Sequence, residues 1–451
     1  MAATNLQRTP GTSGNRNKWT FSAWVKRSSN TSEQAVFSAY QSNDYYTFLR
    51  FEANGTIKFR DNYTGNANLE ITTDAMYKDT FGWYNIVAVY DKDNATSADK
   101  AILYVNGERV VSLSQSTMPS NASTWNVSNV QKQIGSLNTG QYWNGSMSHI
   151  HFSDGYAYGP EIFGETDSST GEWKIKTEPS LTYGSNGFFI LKDDNSGTDQ
   201  SPNTNNFAVG TGTLTKTEDC PSNVFPTFNM SLTIPNASFI ENGALMAETS
   251  ASGNYLAGMS SLGMPRGTGI YYCEMKLIAE SATGESCIGV CSEEAFTLRD
   301  AGTLSIVGAD YNWGIRNANG LEYVDGGSSA SKHGNFTVGD IMGVYFDSTN
   351  DKLTYSKNGG WWNGTSSWTG TSPDLTNYFV GTSSGSYQTF FFNCGDAGNS
   401  VNAKWSANFG NGSFGTTAVS SAGTNTSGQI GIFEYNMPTN SKVLSTKGLN
   451  T

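Results

Sequence analysis

A chain of 451 residues is too long for a single small domain; at about one domain per 150 residues it allows two large β domains or three ordinary ones. Aromatics make up 13% and charged residues 15%, against roughly 25% charged in an average soluble protein. This excludes a disordered chain, which cannot bury that much surface. A net charge of −12 argues against nucleic acid, because an acidic surface repels phosphates instead of releasing their counterions, and an anionic partner would need bridging cations.

The opening stretch MAATNLQRTPGTSGNRNK has no apolar signal core, so synthesis and folding in the cytosol are expected. Lys18 to Lys26 (KWTFSAWVK) alternates Trp19, Phe21, Ala23 and Val25 against Thr20, Ser22 and Trp24, the period of a strand. Asn54-Gly55 and Asn106-Gly107 each lie between two strand-like runs, as does Asn358-Gly359 further on; Asn-Gly suits a two-residue hairpin whose central residues need positive φ. Trp83 to Tyr90 (WYNIVAVY) is an aromatic and β-branched run. The best helical candidates, Pro160 to Gly164 and Ser292 to Arg299, are only a turn or two long. The strand Phe188 to Leu191 runs into a polar, Gly/Asn-rich stretch from Asp193 to Thr217, followed by the densest Pro cluster, Pro221 and Pro226. The tail from Gly410 to Gly428 is rich in Gly, Ser and Thr before a strand-like Ile430 to Tyr435 and suits either a flexible segment or a long surface hairpin. No run approaches the roughly 18 to 20 apolar residues that span a bilayer, so no membrane insertion is expected. Five cysteines, Cys220, Cys273, Cys287, Cys291 and Cys394, form no CxxC pair and read as buried free thiols. The reading is all-β, with two tandem antiparallel β-sandwiches: residues 1–215, a linker 216–228, residues 229–412 and a C-terminal extension 413–451 with a terminal strand.

The first half resembles a laminin G-like, concanavalin A-type jelly roll. The matching residues are Trp19 to Lys26, Trp83 to Tyr90, Leu103-Tyr104-Val105-Asn106-Gly107, Ile134-Gly135, and Trp143-Asn144-Gly145 followed by His149 to Gly155. The element that usually opens such a domain comes last here, as Gly187 to Asn206, which implies a permuted strand order. The second half is similar to a SPRY domain, through Gly269 to Met275, Ile288-Gly289-Val290, Gly339 to Asp347, Lys352 to Gly359, and Ala407 to Gly410. The tandem, closing on Pro438 to Leu444, resembles tail-fibre or other virion surface proteins of marine bacteriophages. The resemblance implies fold directly and function by analogy.

Concanavalin A-type sandwiches also host glycoside hydrolases, which need paired carboxylates on one strand face. The nearest string, Glu165-Thr166-Asp167 with Glu172, reads as a solvated loop. Gly381-Thr382-Ser383-Ser384-Gly385 fits G-x-S-x-G, yet no helix follows it and no histidine partner is placed. His149 and His151 share one strand face and suit either a metal pair or a neutral exposed face. Asp193, Asp194, Asn195 and Asp199 set hard oxygen ligands around a Gly turn, which suits calcium; the same composition is ordinary turn chemistry. Loop aromatics carry the recognition signal. Trp361, Trp362 and Trp368 with Asn363 and Asp374, and Tyr45 and Tyr46 after another polar loop, combine flat rings with amide and carboxylate groups that satisfy sugar hydroxyls. Alternation sets Trp361 and Trp362 on opposite faces, so at most one is expected in the core. Trp19, Trp24, Trp83 and Trp143 are expected inside.

The expectation is a non-enzymatic, homo-oligomeric phage virion protein on the virion surface, a tail fibre or spike recognising a host-surface glycan or protein. The alternative is a decoration or assembly protein of capsid or tail that binds only other virion subunits.

Overall fold

The computed structural model describes residues 3–192, 196–229, 238–241, 243–249, 256–281, 284–294, 311–317, 320–324, 327–331, 333–365, 367–374, 387–396, 402–425 and 428–450. These hold β-strands and single turns of 3-10 helix. Among them no helix is long and apolar enough to cross a membrane. The chain divides into two compact units, Met1–Leu214 and Thr215–Thr451.

In the first unit an eight-stranded sheet runs in the order Leu113–Thr117, Asn66–Thr73, Ile57–Tyr63, Tyr45–Phe51, Gln34–Ser42, Lys132–Ile134, Asn5–Arg8, Ala208–Thr211. A six-stranded sheet runs Phe188–Ile190, Gly145–Asp154, Lys18–Arg27, Tyr84–Asp91, Ala101–Val105, Glu108–Arg109. All their pairings are antiparallel. The alternation of Lys18–Arg27 places Trp19, Phe21, Ala23 and Val25 in the shared core with Phe37, Leu49, Phe59 and Ile71 of the larger sheet. Trp19 is fully buried and stacks on Tyr90, with ring centroids 5.4 Å apart. As expected, Trp24, Trp83 and Trp143 are also buried.

The strand Lys18–Arg27 is buried on both faces. On the outer face of its sheet lies the segment around residues 156–183, where Phe163, Tyr158, Ile162 and Leu181 pack on Val87 and Val89, and Trp173 Nε1 donates to Asn85 Oδ1 at 3.1 Å. Asn106-Gly107 has φ of +49° and +82°, the two-residue turn expected. Asn54-Gly55 is wider: only Gly55 has positive φ, and residues 52–56 all lie between the paired strands.

The second unit is again built on two sheets, antiparallel apart from one strand of the C-terminal segment. One runs Ser238–Glu241, Met246–Thr249, Ala403–Asn408, Ile270–Glu280, Ile341–Asp347, Lys352–Lys357, Gly360–Trp361; the other runs Leu256–Met259, Thr389–Asp396, Ser286–Ser292, Asn312–Arg316, Leu321–Val324, Gly327–Ser331. Cys273, Met275 and Leu277 face the core between them, while Tyr272 and Glu274 face outward. Asn358-Gly359 adopts the expected turn, with φ of +48° and +83°.

Two segments depart from the sequence reading. Residues 216–228, expected as a linker, belong to the second unit. Phe225 and Phe228 are fully buried there, and Val224 N donates to Thr446 Oγ1 at 2.9 Å. The described part of residues 413–451, expected as an extension, returns across the outward face of this unit's first sheet. Phe433, Met437 and Val443 pack with Phe225, Tyr272, Tyr345 and Trp361, and Ser441–Val443 pairs in parallel with Ile270–Tyr272. Polar composition concealed both, because a few large apolar residues widely spaced in a Gly/Ser/Asn background suffice to dock a strap without strand periodicity.

Candidate functional site

The outward face of the first unit's larger sheet carries a different population from its core. Tyr46, Phe48 and Arg50 alternate along one strand and Lys58, Arg60 and Asn62 along the next, because successive strand residues point to opposite faces. The register sets Tyr46 opposite Tyr40 and Asn62, Phe48 opposite Arg60, and Arg50 opposite Lys58. Three rings line up nearly parallel. Tyr40 and Tyr46 have centroids 6.4 Å apart at 18°, and Tyr46 and Phe48 are 5.8 Å apart at 9°. Arg50 lies over the Phe48 ring at 4.7 Å and Arg60 over Tyr46 at 5.8 Å, cation–π contacts that hold the guanidinium groups against the row.

Each cation has an acidic neighbour. Arg50 grips Glu52 with Nε at 2.7 Å and Nη2 at 3.1 Å, and Nη2 also lies 2.9 Å from Glu33. Arg60 Nη1 meets Glu70 at 3.0 Å, and its Nε and Nη2 donate to Asn62 Oδ1. Lys58 stands between Glu52 and Glu70 at 3.8 and 3.6 Å. Burial raises the pKa of Glu33, and the nearby Glu52 adds to this against the pull of Arg50. With Leu137 of the tight turn 137–140 at one side, the rings and cations enclose a shallow cavity of about 200 Å³.

Beneath this face the strands are fixed from inside by Asp61, whose carboxylate is fully buried. Its Oδ1 accepts from Thr47 Oγ1 at 2.5 Å and from Thr124 N and Oγ1 at 2.8 and 2.9 Å, and its Oδ2 accepts from Asn68 Nδ2 at 2.8 Å. Burial raises its pKa while these donors work against the rise. Tyr46 and Tyr45 were both candidates from sequence. Tyr46 lines the cavity, and Tyr45 packs edge-on against Tyr63 at 5.5 Å on the opposite side of its strand. Arg50, Lys58 and Arg60 were missed. Their signal was present as alternating cations on the two strands flanking Asn54-Gly55.

The tryptophan loop is built differently from the expectation. Trp361 and Trp362 do take opposite faces, yet both are buried, at 5% exposure each, because the C-terminal strap covers the second face. Trp361 meets Tyr345 and Tyr272, while Trp362 packs against His333 and, at 5.1 Å, Trp368. Neither offers an open platform. Trp368 is half-buried against the core and its Nε1 donates to Asn335 O at 3.3 Å. Asn363 closes its own loop, accepting from Thr365 N and Ser367 N and donating to Ser367 Oγ. Asp374 is half-buried after that loop.

The remaining candidates separate further. Asp193, Asp194 and Asn195 lie outside the described residues, as do the G-x-S-x-G motif and residues 295–299 of the helical candidate. Asp199 does not fit a cation ligand, since its two oxygens accept from Phe189 N, Ser201 N, Ser201 Oγ and Asn205 N at 2.7–2.9 Å. Among the described residues no three His, Cys, Asp or Glu side chains converge as a cation site. His149 and His151 are not an exposed pair. A bulge at His149, φ +47°, breaks the alternation, and both rings are buried. His151 stacks on Phe189 at 3.9 Å, and burial holds its pKa well below the usual range. Glu165 and Glu172 are exposed on or beside a small hairpin, Gly164–Thr166 with Trp173–Ile175.

Residues 2–163 match a family model, Laminin_G_3, described as the concanavalin A-like lectin/glucanases superfamily. The first unit therefore carries a laminin G-like jelly roll. The match spans the ring-and-cation face. No curated protein matches the chain. Similar solved structures include the SPRY domain of human HERC1, at 17% identity and TM-score 0.30, covering 40% of this chain and 96% of that one. A heptameric SAP-like pentraxin from Limulus polyphemus has 16% identity and TM-score 0.30, covering 47% and 90%. Mouse laminin α1 domains LG4-5 have 12% identity and TM-score 0.28, covering 89% and 86%.

Proposed function

We propose that this chain is a non-enzymatic surface protein of a bacteriophage virion, a tail fibre or spike, that recognises a glycan or protein on the host surface through the outer face of its first unit. The observation that carries the reading is the row of Tyr40, Tyr46 and Phe48 interleaved with Arg50, Lys58 and Arg60 around an open cavity. Aromatic rings beside convergent polar groups are the common composition of a recognition site. The family description names lectins and glucanases. Binding is preferred to cleavage because the carboxylates beside this cavity, Glu33, Glu52 and Glu70, are each ion-paired with Arg50, Lys58 or Arg60 and outside its lining, and Glu165 and Glu172 are not among the lining residues either. A single cavity of this size gives weak affinity, so several copies per particle would supply avidity of roughly 10² to 10⁴.

The test is binding of the fluorescently labelled full chain, multimerised on streptavidin, to bacterial cells of the host. Tyr46→Ala is expected to fold normally and to lose most cell binding. Unchanged cell binding by that variant would remove the face from the proposal. Binding only to virus particles would favour the decoration role.

A further inference from the structure

The cavity on the first unit's outer face is smaller than the roughly 300–1,000 Å³ of ordinary ligand pockets, so it admits one ring-sized group and not a helix or an extended aromatic cofactor. What that group must supply is set by the lining. Arg50, Lys58 and Arg60 line the cavity and no carboxylate does, but each cation is ion-paired with Glu33, Glu52 or Glu70 beside it, so the face as a whole has no excess of either sign.

Lys58 decides between ligand charges. Its ammonium lies 3.8 Å from Glu52 and 3.6 Å from Glu70, beyond hydrogen-bond distance of both, and donates no hydrogen bond to any described residue. It therefore presents N–H donors toward the cavity. A sulfate or carboxylate brought to those donors would stand at similar range from two carboxylates, and like charges at that distance repel. A hydroxyl has no such conflict, because its oxygen accepts from the Lys58 ammonium while its own hydrogen donates to Glu52 or Glu70. A phenyl or aliphatic side chain would strip water from these charges and return no hydrogen bond, a cost that grows with burial. Tyr46, which is partly exposed, meanwhile gives an apolar edge against which ring C–H groups can lie, whereas Phe48, 4% exposed beneath Arg50, only backs it.

We infer that this cavity takes a single uncharged, hydroxyl-rich ring, a neutral hexose unit of a larger glycan, with Lys58 and its flanking carboxylates reading a pair of hydroxyls and Tyr46 supporting the ring. This rests on the reading that the outer face is the recognition site, and goes beyond it in fixing the ligand's charge and chemical class. Recognition is accordingly insensitive to salt, unlike attachment to an acidic polysaccharide.

The experiment is native affinity electrophoresis of the full chain through gels containing dextran, a mannan or a galactan, and through gels containing dextran sulfate or a sulfated galactan, at low and about tenfold higher salt. The expected result is retardation by at least one neutral polymer, unchanged by salt and about tenfold weaker in both Lys58→Met and Tyr46→Ala, with melting temperatures as in the wild type. Retardation by sulfated polymers alone, weakening with salt and lost in the same variants, would overturn the uncharged ligand while leaving the face as a recognition site. No retardation by any polymer, with host-cell binding still dependent on Tyr46, would overturn the sugar and indicate a protein receptor. Retardation indifferent to both variants would overturn the inference together with the site on which it rests. Should Lys58→Met melt lower than the wild type, Lys58→Arg separates the roles: it keeps the charge and the fold but misplaces the donors, and is expected to bind more weakly.

Discussion

The Asp199 carboxylate accepts hydrogen bonds from four donors, one of them Phe189 N in the edge strand Phe188–Ile190 and the others in residues 201–205. A carboxylate so used is a fastening between a strand and the loop beyond it. Removing it leaves donors in a site only 8% exposed, and each buried orphan costs about 1 to 3 kcal/mol before water re-enters. Asp199→Ala is therefore expected to destabilise the first unit by about 2 to 4 kcal/mol, measured by urea denaturation. The loss is expected to be equal in chelator and in added calcium, since the oxygens a cation would need are already occupied. A wild-type melting temperature that falls on chelation, with the response abolished by Asp194→Ala, would restore calcium to the loop at 193–199.

At the scale of elements, the C-terminal strap over the second unit turns on one buried group. Glu274 is fully buried on the outward face of Ile270–Glu280, where Oε1 accepts from Tyr435 N at 2.9 Å and Oε2 from Glu434 N at 2.8 Å and Asn408 Nδ2 at 3.2 Å. Burial pushes its pKa up to about 7, against the pull of those donors. A folded pKa above the unfolded value means that the folded state holds the proton more tightly. The associated stability is complete below about pH 4.5 and is lost as pH rises to about 7, a change of about 3 kcal/mol. Thermal unfolding across that window is expected to show the decline in the wild type relative to Glu274→Gln, which has nothing to titrate there; parallel curves would mean the carboxylate is solvated. The elements themselves were legible in the sequence to different degrees. Trp19 to Val25 alternates because one face meets a core, and Asn106-Gly107 and Asn358-Gly359 turn as their conformational freedom dictates, so strands and hairpins could be read locally. The burial of Trp361 could not, because the covering Phe433 and Met437 lie some seventy residues away in a segment without periodicity. The candidate site was half legible. Tyr46 stood out as a loop-flanking ring, whereas Arg50, Lys58 and Arg60 acquire meaning only once strand register sets them side by side.

At the scale of the whole molecule, each unit has its own core. Residues from Leu6 to Phe207 make up one buried cluster and residues from Phe228 to Leu444 another. The strand Ala208–Thr211 pairs with Asn5–Arg8 and so belongs to the first unit, while Glu218 N donates to Asn411 O at 2.9 Å and belongs to the second. Between them residues 212–217 lack strand pairing, with Leu214 packed partly buried against the first core and Thr215 Oγ1 donating to Thr416 O, a shorter connection than the polar composition of Asp193 to Pro226 suggested. Proteases cut where backbone is exposed and outside regular structure, as at Lys216. Limited trypsin digestion is accordingly expected to cleave first after Lys216, the basic residue within that connection, giving fragments close to 1–216 and 217–451. The separately expressed pieces 1–214 and 215–451 are each expected to melt cooperatively, because each of the two large core clusters of described residues is drawn from one unit. Tyr46-dependent binding should then reside in the first piece alone. Early cleavage within 196–211, or a first piece that fails to fold without the second, would show that the units stabilise one another and that the binding face depends on both.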